Sequence, residues 1–175
     1  RGYKSDLWDG GHRVPFIVRW PGVVAAGSTN DQLVCLNDFM ATLAELFGIT
    51  LPPNAGEDSF SILPLLRGSH APVRESVVHH SFYGFFAIRD REWKYVVAAG
   101  SGGWTLKEAD AASQQQPPVQ LYNLREDVGE QTNLQAEQPE RVKAMHRQLR
   151  QLVDAGRSTP GPKQPNDAAI NLRKK

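Results

Sequence analysis

Residues 4–22, KSDLWDGGHRVPFIVRWPG, form the stretch that most constrains the fold of this chain. Two adjacent glycines precede a short apolar run, and a Pro-Gly pair follows it. Glycine and proline mark turns, and a short apolar run between turns is typical of a strand that is buried on both faces. We therefore predict a loop that enters a buried strand at residues 14–20 and leaves it through a turn at residues 21–22.

Two longer segments carry the three- and four-residue spacing of apolar side chains that is typical of an amphipathic helix. The first covers residues 36–47 and has Gly48 as its stop signal. The second begins at Pro139, a residue type favoured at the first helical position, and ends before Gly156. We expect both segments to be helical.

Short strands are predicted between these helices. Runs rich in aromatic and β-branched residues lie at 77–80, 85–89, 93–97 and 120–124. The turn residues at 90–92 make the middle two runs a hairpin. A long polar stretch at 100–118 separates the last two, and a loop of that length is usually functional or disordered. The second half of the chain is therefore a small sheet followed by a helix.

Composition excludes several classes of function. Twenty basic residues balance nineteen acidic ones, so no overall field draws the chain to nucleic acid or to an anionic membrane, and the basic tail at 173–175 is too short to change this. Cys35 is the only cysteine, which excludes an intrachain disulfide and a site built from several thiolates. No apolar run is long enough for a membrane span. The chain begins without methionine, from which we expect a fragment whose amino terminus lies upstream.

Few residues carry an obvious chemistry. Lys4 lies five residues before the acid-Gly-Gly sequence, and a lysine on a glycine-rich loop either holds an anionic group or is simply a solvated surface residue. Cys35 lies between apolar neighbours, where a thiol stays protonated and packs as a small hydrophobe. His79 and His80 are adjacent on a predicted strand and should face opposite sides, so they do not suit one metal ion. From the residues alone the chain is an α/β fragment.

The stretch at 4–22 closely resembles a signature of the arylsulfatase family, in which a lysine, four residues, an acid and two glycines precede Arg-Val-Pro and a strand that ends in Trp-Pro-Gly. The similarity continues in order through residues 38–43, 87–95 and 120–134, and covers about residues 1 to 156. Asp9 stands where the family usually has glutamate, so the acidic side chain is shorter here. Val128 stands where the family commonly has proline. Taken together, the chain resembles the carboxy-terminal part of a formylglycine-dependent sulfatase of the alkaline-phosphatase-like superfamily.

The resemblance implies an α/β fold. Residues 1–72 would be the end of an alkaline-phosphatase-like catalytic α/β domain. Residues 73–156 would form a small antiparallel sheet with a packed C-terminal helix, and residues 157–175 an extended tail.

The resemblance also implies roles for particular residues. Lys4 would contact the sulfate group as the catalytic residue of this fragment. The other candidates are Asp9, Gly10, Gly11 and Arg13 as support for its loop, and His80, Ser81 and Trp104 as residues that line the substrate pocket. The plainer alternative is that His80 satisfies a buried hydrogen bond and that Trp104 covers the small sheet. No metal ligand is expected in this fragment.

The implied function is hydrolysis of aryl or carbohydrate sulfate esters, with the fragment inactive alone. The full-length enzyme would carry a formylglycine and a calcium or magnesium ion, and this fragment alone would bind neither. Expected partners are a sulfated small molecule or carbohydrate and the missing N-terminal domain, with no nucleic acid and no membrane. A periplasmic or secreted location follows only from the family. Two alternatives stay open: a non-catalytic binding or interaction module, and a phosphodiesterase or phosphonate hydrolase of the same superfamily.

Overall fold

The computed structural model describes residues 1–172, and the basic tail at 173–175 lies outside the described residues. The elements are the 3-10 turn Asp9–Gly11, the helices α1 (Asp38–Leu46), α2 (Leu63–Leu66), α3 (Ala111–Gln114) and α4 (Pro139–Ala155), and the strands β1 (Ser76–His80), β2 (Phe86–Asp90), β3 (Trp93–Val96) and β4 (Gln120–Asn123). The chain divides into two compact units. One comprises Arg1–Val14, Val78–Gln151 and residues 168–172, and the other comprises Pro15–Val77 and Leu152–Asp167.

The first unit is built on the predicted four-stranded sheet, in the order β1-β2-β3-β4. Strands β2 and β3 pair antiparallel with Ala87 opposite Val96, and β3 and β4 pair antiparallel with Lys94 opposite Tyr122. The tight turn between β2 and β3 contains Arg91 at φ 53°, which closes the predicted hairpin. Both the sheet and the hairpin are therefore confirmed.

Both faces of this sheet are covered. One face carries Ala87, Val96 and Tyr122, which pack in a single core cluster with Leu7 and Trp8 from the first segment of the chain. Because side chains alternate along a strand, Tyr95 lies on the opposite face, and its hydroxyl is 3.1 Å from His146 Nδ1 on α4. The predicted small antiparallel sheet with a packed C-terminal helix is confirmed.

Helix α4 begins at Pro139, as its sequence predicts, and ends one residue before Gly156. Met145 and Leu149, four residues apart, are its buried side chains. Gly156 adopts φ 65°, a backbone conformation that favours glycine and ends the helix.

The second unit is organised around a buried carboxylate on α1. Asp38 accepts hydrogen bonds from the backbone N–H groups of Cys35 at 2.7 Å and Phe60 at 2.9 Å. Its carboxylate also forms an ion pair with the buried guanidinium of Arg74. Together these bonds join the start of α1 to the loop that follows it and to residue 74.

The strand predicted at residues 14–20 is not formed, and the expectation that it is buried on both faces is wrong for this chain. Ile17 is 90% exposed and Val14 is 56% exposed. A strand needs a neighbouring strand to pair its backbone groups, and the described part of the chain offers none at this position. The apolar run therefore lies on the surface as an irregular segment.

Residues 157–172 contain no helix or strand, but several of their groups are bonded. Thr159 Oγ1 donates to the Glu57 carbonyl at 2.7 Å, and the side chain of Leu172 is fully buried. None of the described helices has the length and apolarity needed to cross a bilayer. The boundaries predicted after residues 72 and 156 stay predictions.

Candidate functional site

Asp6 fixes the loop that carries Lys4. Its Oδ1 accepts hydrogen bonds from Ser101 Oγ at 2.9 Å, Trp104 N at 2.8 Å and Thr105 N at 3.1 Å. Its Oδ2 accepts hydrogen bonds from Tyr3 N at 3.0 Å and from the Thr105 hydroxyl. Burial alone raises the pKa of this carboxyl, but the hydrogen bonds outweigh it and leave the pKa of Asp6 below its usual value. Asp6 is thus an ionised anchor that joins the first segment to the long loop at 100–118.

This anchor leaves the Lys4 side chain exposed beside an aromatic residue. The Lys4 ammonium lies 5.9 Å from the centre of the Trp104 ring, within the range of a cation–π contact. Ser5 adopts φ 89°, an uncommon conformation for a residue other than glycine. Its carbonyl accepts a 3.3 Å hydrogen bond from Phe82 N. The structure therefore brings two predicted site residues, Lys4 and Trp104, to one surface.

Asp9 belongs to a buried ion cluster on the sheet. Lys94 Nζ lies 2.7 Å from Asp9 Oδ1 and 2.8 Å from Glu130 Oε1, and Lys94 and Glu130 have no exposed side-chain surface. Glu130 Oε2 also accepts a 2.7 Å hydrogen bond from Asp9 N. Burial raises the pKa of the Asp9 carboxyl, but the Lys94 charge outweighs it and the pKa is lowered. Asp9 therefore supports the loop through a cation on β3.

The two glycines after Asp9 allow the close approach of neighbouring backbone. A Cβ atom on Gly10 would lie 2.1 Å from the Gly2 carbonyl oxygen, and one on Gly11 would lie 2.3 Å from the Asp6 carbonyl oxygen. Neither backbone contact tolerates such a distance, so only glycine fits. Arg13, the last predicted support residue, is exposed, and its backbone N–H donates to the Asp9 carbonyl at 2.6 Å.

His79 and His80 face different surroundings, as the alternation of side chains along a strand predicts. His79 stacks on His12 with ring centres 4.2 Å apart, and the Nε2 atoms of both rings are buried without a hydrogen-bond partner among the described residues. Burial, reinforced by the charge of Lys94, lowers the pKa of His12 to about 4, so this ring is neutral at pH 7. His80 is exposed on the opposite side and lies against Phe86.

Ser81 closes a tight turn that displays two aromatic side chains. Its buried Oγ accepts a 3.2 Å hydrogen bond from Phe85 N, and its backbone N–H donates to the Phe85 carbonyl at 2.9 Å. Phe82 and Tyr83 are presented to solvent at the tip of this turn, with exposed fractions of 72% and 44%. The Ser81 hydroxyl thus serves the turn, and substrate contact by Ser81 and His80 stays a prediction.

Within residues 1–172 no group of three or more His, Cys, Asp or Glu side chains is placed to hold a metal ion. The described residues therefore do not fit a calcium or magnesium site. Cys35 is a free thiol that is partly buried. Its neighbours, Leu36-Asn37-Asp38-Phe39, do not provide the Cys/Ser-Xaa-Pro/Ala-Xaa-Arg context of a formylglycine precursor.

Three residues that organise this site were missed from the sequence. Asp6, Lys94 and Glu130 are each charged residues at positions with less than 1% exposure. For Lys94 a signal existed, because a lysine between two aromatic residues on a central strand needs a buried acid as its partner. No pattern near Asp6 indicates its partners on the long loop, because they lie 95 to 99 residues further along the chain.

The family described as "N-sulphoglucosamine sulphohydrolase, C-terminal" matches residues 3–155, and the chain belongs to this family. An arylsulfatase of Hemicentrotus pulcherrimus is 32% identical over 157 residues, which is 78% of this chain and 28% of that protein. An N-acetylgalactosamine-6-O-sulfatase of Bacteroides thetaiotaomicron is 33% identical over 158 residues, which is 89% of this chain and 29% of that protein. The chain therefore spans less than a third of the length of these relatives, which are sulfuric ester hydrolases.

Solved structures agree with this assignment. A chain from work on the metabolism of multiple glycosaminoglycans by Bacteroides thetaiotaomicron is 30% identical and superimposes with a TM-score of 0.73, covering 87% of this chain and 31% of that one. A sulfatase from Pseudoalteromonas sp. is 25% identical with a TM-score of 0.65, covering 87% and 32% of the two chains. The predicted fold class and the predicted resemblance to sulfatases are both confirmed.

Proposed function

We propose that this chain is the carboxy-terminal part of a sulfatase that hydrolyses sulfate esters, and that Lys4 contacts the sulfate group. The observation that carries the proposal is the Asp6 anchor. Asp6 accepts a hydrogen bond from Tyr3 N before Lys4, and the next residue, Leu7, donates its N–H to the Ser101 carbonyl. The backbone is thus held on both sides of Lys4 while the ammonium stays exposed. Under this proposal the exposed ammonium stabilises the negative charge that develops on the sulfate oxygens.

The chain does not hydrolyse sulfate esters alone under this proposal. The formylglycine nucleophile and the calcium or magnesium ion belong to the rest of the protein, because residues 1–172 offer neither a precursor motif nor a set of metal ligands. In support, the second unit leaves many large apolar side chains exposed, as expected of a unit that packs on a missing N-terminal domain. These side chains include Ile17, Phe39, Leu43, Phe47 and Ile49.

The substrate class is a sulfated small molecule or carbohydrate. A carbohydrate is supported by the name of the N-acetylgalactosamine-6-O-sulfatase relative. His80 and Trp104 are candidates to line the pocket, since both are exposed on the unit that carries Lys4. A periplasmic or secreted location stays a prediction from the family.

The test is to replace Lys4 in the intact protein that carries this chain. Lys4→Ala should lower kcat/KM for an aryl sulfate about a hundredfold, the usual effect of removing one group that stabilises transition-state charge. Lys163→Ala, at another exposed lysine, serves as the matched control and should leave kcat/KM unchanged. Equal activity of the two variants would remove Lys4 from the mechanism. Faster hydrolysis of a phosphate diester or a phosphonate than of any sulfate ester would point to the alternative chemistry of the superfamily.

A further inference from the structure

The surface beside Lys4 contains a cluster of exposed aromatic side chains. The ring centres of Phe82 and Trp104 are 5.7 Å apart, and those of Phe82 and Tyr83 are 5.3 Å apart. Phe82 is 72% exposed and Trp104 is 37% exposed. Single exposed apolar residues are common on protein surfaces, whereas contiguous ones are typical of surfaces that contact a ligand or another protein.

Both sides of this cluster are held in place by backbone hydrogen bonds. Phe82 lies at the tip of the turn closed by Ser81, and its N–H donates to the Ser5 carbonyl, next to Lys4. Trp104 N–H donates to the carboxylate of Asp6, the next residue after Ser5. The backbone that carries both rings is therefore held before a ligand arrives, which lowers the entropic cost of binding.

We propose that Phe82 and Trp104 form a platform that binds the ring of a sugar whose sulfate ester is held by Lys4. The inference rests on the proposed function for the role of Lys4 and adds the chemical class of the group that carries the sulfate. The face of an aromatic ring is negative, and it complements the weakly positive C–H groups on the apolar side of a pyranose ring.

The two rings and the lysine offer different contacts to a ligand. The planes of Phe82 and Trp104 are inclined by 56°, so the two rings present faces in different directions. The Lys4 ammonium lies 5.9 Å from the centre of the Trp104 ring and supplies a positive charge beside the two rings. The ring faces and the charge together match a sugar ring with an anionic substituent.

The experiment measures binding to the intact protein by titration calorimetry, with N-acetylgalactosamine 6-sulfate and with inorganic sulfate as separate probes. Phe82→Ala should weaken binding of the sulfated sugar about tenfold, which is the size of one lost ring contact, and leave binding of inorganic sulfate within twofold. Phe82→Tyr keeps the ring and should bind like the parent. Val128→Ala removes another exposed apolar side chain and should change neither dissociation constant.

The kinetic form of the same test compares KM and kcat. Phe82→Ala should raise KM for the sulfated sugar while kcat and the KM for 4-nitrophenyl sulfate stay within twofold. Unchanged binding of the sugar in Phe82→Ala, or equal loss for sugar and inorganic sulfate, overturns the platform even where the protein hydrolyses sulfate esters. Conversely, selective loss of sugar binding in a protein that hydrolyses no sulfate ester supports the platform and sinks only the proposed activity.

Discussion

The two units of this chain differ in how far they cover their apolar side chains. In the first unit both faces of the sheet are packed, and Ala87, Ile88, Val96 and Leu121 have no exposed surface. In the second unit α1 has an amphipathic pattern like that of α4, yet its large apolar side chains are between 37% and 48% exposed. Periodicity thus indicates that a helix has an apolar side, but it does not show what covers that side.

The strongest way to test this contrast is to break the charge cluster inside the well-covered unit. Lys94→Ala leaves Asp9 and Glu130 buried without their cation, and removal of one partner from a buried ion pair costs about 3–5 kcal/mol. We expect the free energy of unfolding, from chemical denaturation, to fall by that amount.

The matched control for this prediction is Lys143→Ala. Lys143 pairs with Glu140 at 2.7 Å, but both side chains are mostly exposed, so no measurable change is expected. If the two lysine variants unfold at the same denaturant concentration, the cluster under the sheet does not stabilise the first unit.

A smaller effect is expected at Asp6, which joins the Lys4 loop to the Trp104 loop. Asp6→Asn replaces one accepting oxygen by a donor that faces N–H or O–H groups, and the free energy of unfolding should fall by about 2 kcal/mol. Asp167→Asn, at an exposed aspartate, is the control and should have no effect.

The difference in free energy of unfolding between the parent and Asp6→Asn should depend on pH with a defined sign. The pKa of Asp6 is lowered from its ordinary value of 3.8, so its carboxylate contributes stability fully above that pH. The contribution is lost as the pH falls through the lowered pKa of the folded state. The gap between the parent and Asp6→Asn should therefore be constant from pH 7 to about 5 and shrink at lower pH. A gap that does not change down to pH 2 would contradict an ionised Asp6.

Most of the sheet unit could be predicted from the sequence because its signals are local. Alternation, the turn at 90–92 and the helix signals at Pro139 and Gly156 each act within a few residues. The site could be predicted only in part. Lys4, Asp9 and the glycines lie in one stretch, whereas Lys94, Glu130 and Ser101 reach that stretch from 85 to 121 residues away. Such partners are set by the folded sheet and leave no spacing in the sequence.

The prediction of a strand at residues 14–20 is wrong although its local signal is present. Its local pattern is correct for a buried strand, but a strand also requires neighbours that this chain does not provide among its described residues. The same reasoning applies to α1. The helix forms as its periodicity predicts, but its apolar side is exposed. Residues 15–20 of the predicted strand and all of α1 lie in the second unit, and both discrepancies are explained if that unit packs on a further domain.

The smallest change in stability is expected on α1, and it sharpens the comparison between the units. Leu43 is 48% exposed, so Leu43→Gln should change the free energy of unfolding of the 175-residue chain by less than about 0.5 kcal/mol. Leu149 on α4 has no exposed surface, and Leu149→Gln, the same chemical change, should cost at least about 2 kcal/mol because it buries an unpaired amide. Sedimentation supplies a second readout. The exposed apolar side chains should make the chain self-associate, and Leu43→Gln, which removes one of them, should reduce that self-association. The intact protein tests whether a further domain covers α1. If it does, Leu43→Gln should lower the free energy of unfolding of the intact protein as well. A Leu43 variant that is equally harmless in the chain and in the intact protein would show that the open side of α1 faces solvent in both, and would remove the main structural support for a missing domain on that surface.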